Sequence, residues 1–138
     1  MTSLGLQIGN YVKYYNSTVS IAELRASDCV IRFADGTLLA VWYDQASPIF
    51  TESHVLVQIG CTLLNRTELP LHKKSVYKMD ILGRNYFIHM IEHSDHIILR
   101  FENYFAFRYL HELQNICTLI NPEFSIDLFS SSQSSSRP

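Results

Sequence analysis

Val30-Ile31-Arg32-Phe33-Ala34-Asp35-Gly36-Thr37-Leu38-Leu39-Ala40-Val41-Trp42-Tyr43 is the stretch on which the fold turns. Two runs rich in β-branched and aromatic residues flank an Asp-Gly pair, a strong short-range hairpin signal. Gly36 reaches positive φ without steric cost, and Asp35 tolerates the left-handed region better than most residues, so the pair suits a tight reversal. Strands are expected over 28–34 and 37–43. No catalytic motif competes with this hairpin, so binding rather than chemistry is the expected role.

A short β-like run ends at Tyr11-Val12-Lys13-Tyr14-Tyr15, and residues 18–24 alternate imperfectly, as a strand or a single helical turn, with the strand preferred. Beyond the hairpin, Ile49-Phe50 suits a short edge strand after Pro48. Residues 54–64 read as a buried strand with Gly60 at a bulge or turn, and 65–74 as a polar loop. A second hairpin runs from Val76–Leu82 through Gly83-Arg84-Asn85 to Tyr86–Ile91, followed by a turn at His93–His96 and a strand at Ile97–Phe101. The period then changes. Ala106, Tyr109, Leu110, Leu113, Ile116, Cys117 and Ile120 recur at helical spacing, which predicts a helix over 102–120 with Glu102 and Asn103 at its start and Pro122 beyond its end. The expected class is α+β: an antiparallel sheet of about six strands covered by one C-terminal helix.

A length of 138 residues favours one domain, here 1–124, followed by a Ser-rich tail at 125–138 that reads as disordered or as the start of a linker. The formal charge of −2 argues against nucleic acid as a partner. No run is long and apolar enough for a membrane span, and Met1–Leu6 lacks the features of a signal peptide. Cys29, Cys61 and Cys117 are odd in number and widely spaced, which points to reduced core thiols in a cytoplasmic protein.

The hairpin and the strands-then-helix order resemble a polo box. That family commonly shows an apolar strand, Asp-Gly or Asn-Gly with Ser or Thr, and a strand ending in two aromatics, here Phe33, Asp35-Gly36-Thr37 and Trp42-Tyr43. Phosphopeptide-binding members place a His and a Lys a few residues further on, as a pincer on phosphate. Ala46 and Pro48 stand at those positions, and neither side chain donates a hydrogen bond or carries charge. The resemblance therefore implies the divergent, cryptic kind found in centriole-assembly kinases and scaffolds, which dimerises or docks protein segments. It implies a centrosomal setting as well.

Four aromatics are the expected partner-binding anchors: Trp42 and Tyr43 after the hairpin, and Tyr104 and Phe105 before the helix. Lys73, Lys74, Lys78 and Arg84, with His72, form a basic cluster suited to an anion. His89, His93 and His96 are spaced H-x3-H-x2-H, but no completing ligand stands at convincing spacing, so no metal and no cofactor is expected. The reading is a non-catalytic protein–protein interaction module, homodimeric or docking a peptide segment, within a larger scaffold or kinase. The rival is a pleckstrin-homology-like module that binds an anionic headgroup through the basic cluster.

Overall fold

The computed structural model describes residues 5–129. Among the described residues, ten strands, two α-helices and a short 3-10 turn at Tyr43–Gln45 fall into two compact units. The first runs to Phe50 and takes up Tyr109–Asn115; the second holds Thr51–Arg108 and the chain from Ile116. The class is α+β, but the expected single sheet of about six strands is two five-stranded antiparallel sheets.

In the first unit, β1 (Tyr11–Tyr14), β2 (Ser17–Leu24), β3 (Asp28–Arg32), β4 (Leu38–Trp42) and β5 (Ala46–Ser47) lie in the order β4-β3-β2-β1-β5. Strand alternation sends Val12, Val19, Ile21, Cys29, Ile31 and Val41 to one face, where they form a core with Leu6, Tyr43 and Ala46. The β3–β4 hairpin forms where the sequence places it. The Gly36 N–H donates to Phe33 O and the Phe33 N–H to Thr37 O, both at 2.9 Å. Only Gly36 takes positive φ, at 92°, while Asp35 accepts the Thr37 N–H at 2.9 Å. This is a three-residue connection with its left-handed residue last. The Thr37 hydrogen bonds hold the Asp35 carboxyl below the usual carboxylate range. The expected Ile49-Phe50 edge strand reduces to one bridge, Phe50 to Tyr109.

The second unit contains α1 (Ser53–Gln58), β6 (Thr62–Glu68), β7 (Lys73–Ile81), β8 (Arg84–Glu92), β9 (Ile97–Phe101) and β10 (Phe105–Phe107), an up-and-down meander in the order β10-β9-β8-β7-β6. The run at 54–64 is thus not one strand. Gly60, at φ 102°, closes α1: its N–H donates to Val57 O at 3.1 Å and the Cys61 N–H reaches Leu56 O at 2.9 Å. That crossed pair is how a glycine-stopped helix satisfies its last carbonyls. The expected loop at 65–74 shrinks to 69–72 between β6 and β7.

The helix α2 (Leu110–Ile120) starts eight residues later than expected. Glu102 and Asn103 take positive φ, 57° and 69°, and turn the chain from β9 into β10 instead of capping a helix. The Glu102 carboxylate accepts the Phe87 N–H at 2.6 Å, and the Glu102 N–H donates to Phe87 O at 2.8 Å. At the true helix start, the Glu112 carboxylate reaches back to the Tyr109 N–H at 2.9 Å. Leu110, Leu113, Ile116 and Cys117 are buried as predicted, but Ala106 lies exposed on β10. The packed chain also passes 124, since Ile126 and Leu128 are buried. The Ser-rich segment from 130 lies outside the described residues.

Two turns respond to mutation with opposite sign. Gly36→Val forces a β-branched residue into the left-handed region and is expected to cost about 1–3 kcal/mol. Leu82 already sits at φ 47° beside Gly83 in the two-residue turn joining Ile81 to Arg84. Leu82→Asn places there a residue that this turn type prefers, with an expected gain of about 0.5–1 kcal/mol. Urea unfolding of both variants checks the pair.

Helix α2 also carries a pH dependence. His111 is buried, its Nδ1 lacks a hydrogen-bond partner among the described residues, and burial lowers its pKa below the ordinary value near 6.5, against a smaller opposing pull from Glu112. The unfolded chain therefore binds the proton more tightly than the fold. This contribution is complete above pH 6.5 and is lost as pH falls from there through the lowered folded value. His111→Gln is expected to flatten the unfolding free energy across that acidic window. Urea midpoints measured against pH for both proteins check it.

Candidate interaction site

Each sheet leaves two outer strands with one neighbour, and their unpaired N–H and C=O groups invite pairing unless the edge is blunted. Three of the four are blunted. β5 is two residues long and β10 three. β6 is longer, but carries Arg66 and Glu68 and an irregularity between Leu63 and Asn65. β4 is different. Its five residues, Leu38-Leu39-Ala40-Val41-Trp42, carry no charge, no proline and no bulge. Leu38 is 53% exposed and Trp42 59%, with Leu39 and Ala40 also at the surface.

The direction of the free groups follows from one hydrogen bond. The Trp42 N–H turns away from β3 and donates to Gln45 Oε1 at 2.9 Å. Two-residue alternation then points the main-chain groups of Ala40 and Leu38 outward and those of Val41 and Leu39 toward β3. Register pairs Leu38 with Arg32, Ala40 with Val30 and Trp42 with Asp28, so these side chains share the sheet face opposite the core.

The four expected aromatic anchors separate. Trp42 is exposed at the end of β4, as the edge requires. Tyr43, 8% exposed, belongs to the core; its hydroxyl donates to Arg25 O at 2.5 Å and accepts from the Arg25 N–H at 3.2 Å. It holds the β2–β3 turn and is no anchor. Consecutive residues of an extended chain face opposite ways, which is why both could not point outward. Tyr104, 84% exposed, and Phe105 lie in the second unit, at the β9–β10 turn and on β10.

The expected basic cluster is not one site. On β7 and β8, Lys73 pairs with Glu92 at one end of the ladder and Arg84 with Ile81 at the other, about 25 Å away at strand spacing. Lys73 also faces Glu68 at 3.9 Å. Lys74 and Lys78 lie on the opposite face of β7. There they share the sheet surface with Arg100 of β9, 26 positions from Lys74 in sequence.

The histidines regroup as well. His93 and His96 stack in the β8–β9 turn with ring centroids 4.4 Å apart, and His72 lies 5.4 Å from His93, while His89 sits on β8. His72 and His93 border an open groove of about 450 Å³ lined in part by Leu69, Leu71 and Ile97. No group of three or more metal-ligating side chains is formed among the described residues. All three cysteines are free and buried. Burial pushes the Cys61 and Cys117 thiols up to about 12, so neither supplies a thiolate nucleophile. Among the described residues no helix is long and apolar enough to cross a membrane.

Comparison with family models, with curated proteins and with solved structures gives no match.

Tyr43 and Trp42 make a paired test. Tyr43→Phe removes both hydrogen bonds to Arg25 and is expected to lower stability by about 1–2 kcal/mol. Trp42→Ala is expected to change it by less than about 0.5 kcal/mol, as at other exposed sites. Urea titration of the two variants checks this division of labour.

Proposed function

We propose that the chain is a non-catalytic protein-interaction module that docks an extended segment of a partner onto β4. The observation that carries this reading is the open, uncharged edge of Leu38–Trp42. A partner strand laid along it gains main-chain hydrogen bonds at Leu38 and Ala40 and packs on the exposed side chains of Leu38 and Trp42. The polo-box resemblance supports the same kind of role, because its residues are those of this hairpin, and it implies a scaffold or kinase of cell division as the setting. At the two positions of that family's phosphate pincer, Ala46 is buried on β5 and Pro48 follows it, so the reading assigns phosphate no part in binding. The headgroup alternative draws no comparable support, since its basic residues lie on strands and on two faces.

Ala40→Pro is the discriminating variant. Proline removes the outward N–H of an edge residue without touching the ladder to β3, the one strand setting where it is tolerated. The assay selects extended peptides on the purified protein and maps them by amide exchange. The expected result is peptides that protect the Leu38 and Ala40 amides, lose binding to Ala40→Pro, and bind equally with or without phosphate and at low or moderate salt. Peptides that bind only when phosphorylated, or that map away from β4, would contradict the proposal. Pairing of β4 with a second copy registers separately, as a doubled solution mass that Ala40→Pro abolishes.

A further inference from the structure

The second sheet has a face whose composition departs from what an antiparallel sheet shows to water. One face of such a sheet is normally apolar and packed, the other polar. Here the packed face carries Tyr77, Met79 and Ile81 of β7, Ile88 and Met90 of β8, and Leu99 and Phe101 of β9. Both helices reach that face: the Ser53 hydroxyl of α1 lies 3.6 Å from Met90 Sδ, and Cys117 Sγ of α2 lies 4.0 Å from Met79 Sδ. The register builds the opposite face in rows. Lys74 stands beside Ile91 and Ile98, Val76 beside His89 and Arg100, and Lys78 beside Phe87. Four of these outward positions are apolar. Phe87 is 38% exposed, and Val76, Ile91 and Ile98 are half-buried.

Three cations stand on this face, with the Asp80 carboxylate at the Gly83 end of β7. Lys74 and Lys78 line the β7 side and Arg100 the β9 side, and none of the three forms an ion pair among the described residues. The nearest carboxylates are held by main-chain N–H groups: Asp80 accepts from Gly83 at 2.8 Å and Glu102 from Phe87 at 2.6 Å. The result is a floor of Phe87 and Ile91 on β8 with His89 between them, and cationic rims two strand spacings apart, about 10 Å. That spacing matches the diameter of one α-helix.

We propose that this face docks an acidic amphipathic helix of a partner protein, apolar stripe on Phe87, Ile91 and Ile98, and carboxylates against Lys74, Lys78 and Arg100. A helix suits the surface better than a strand. The face of a sheet offers no free main-chain groups, and a helix has already satisfied its own. A protein suits it better than a membrane, because the chain as a whole carries a formal charge of −2. This surface belongs to the second unit and stands independently of the β4 edge.

The probe is a synthetic helix of about 18 residues with Leu at every third and fourth position and Glu elsewhere, long enough to fold on contact. Its controls are a scrambled peptide of the same composition, a Lys-for-Glu counterpart, and phosphatidylserine vesicles. The expected result is that the Glu–Leu helix alone binds and shifts the Val76, His89 and Arg100 amides. Reversing the rim charges in a Lys74→Glu, Arg100→Glu double variant should weaken it roughly tenfold and reduce its salt dependence. Phe87→Ala should weaken it with the salt dependence retained. Ala40→Pro should leave it unchanged, which separates this surface from the β4 edge. No binding, equal binding of the scrambled or Lys-bearing peptide, indifference to charge reversal, or binding of the vesicles in place of the peptide would each overturn the proposal.

Discussion

Main-chain hydrogen bonding is the constraint on which the rest of this structure depends. Each strand must find partners for two rows of N–H and C=O groups, and a five-stranded sheet leaves two strands half-satisfied. The chain meets the problem with short strands at β5 and β10 and with charge and irregularity at β6. At β4 it does neither. Among the described residues, the outward group there with a partner is the Trp42 N–H, on Gln45. An uncharged edge left open is an aggregation hazard unless something pairs with it, and the proposed binding role rests on that physics.

The local signals in the sequence were legible wherever one residue type dominates the energetics. Gly36 and Gly83 marked both hairpins, and the burial of Leu110, Leu113, Ile116 and Cys117 followed the helical period. The errors arose where local chemistry permits two answers. Val55-Leu56-Val57 suits a strand or a helix, and Gly60 decides for the helix only through the carbonyls it satisfies. Glu102 and Asn103 suit a helix start as well as a turn, and their contacts with Phe87 on β8 select the turn. The grouping of strands into two sheets has no local signal at all, since every pairing is between segments and not within one.

The candidate site residues divide between faces for a simpler reason. Proximity in sequence was read as proximity in space, whereas a strand sends neighbours to opposite faces. Period two separates Tyr43 from Trp42 and Lys73 from Lys74. It also joins Lys74 to Arg100, a residue 26 positions away whose role no sequence window could show. The two proposals divide recognition between two modes. The β4 edge would read the main chain of a partner, indifferent to salt; the β7–β9 face would read side chains and, with three cations that form no ion pair among the described residues, would be sensitive to it.

The openness of β4 in the protein alone carries the proposed role most directly, and amide hydrogen exchange resolved at single residues measures it without any partner. The prediction is an alternating pattern along the strand. Leu39 and Val41, paired to β3, exchange slowly; Leu38 and Ala40, turned outward, exchange at rates near those of unstructured chain. Uniformly slow exchange from Leu38 to Val41 in a monomeric sample would show the edge already covered and would contradict the account.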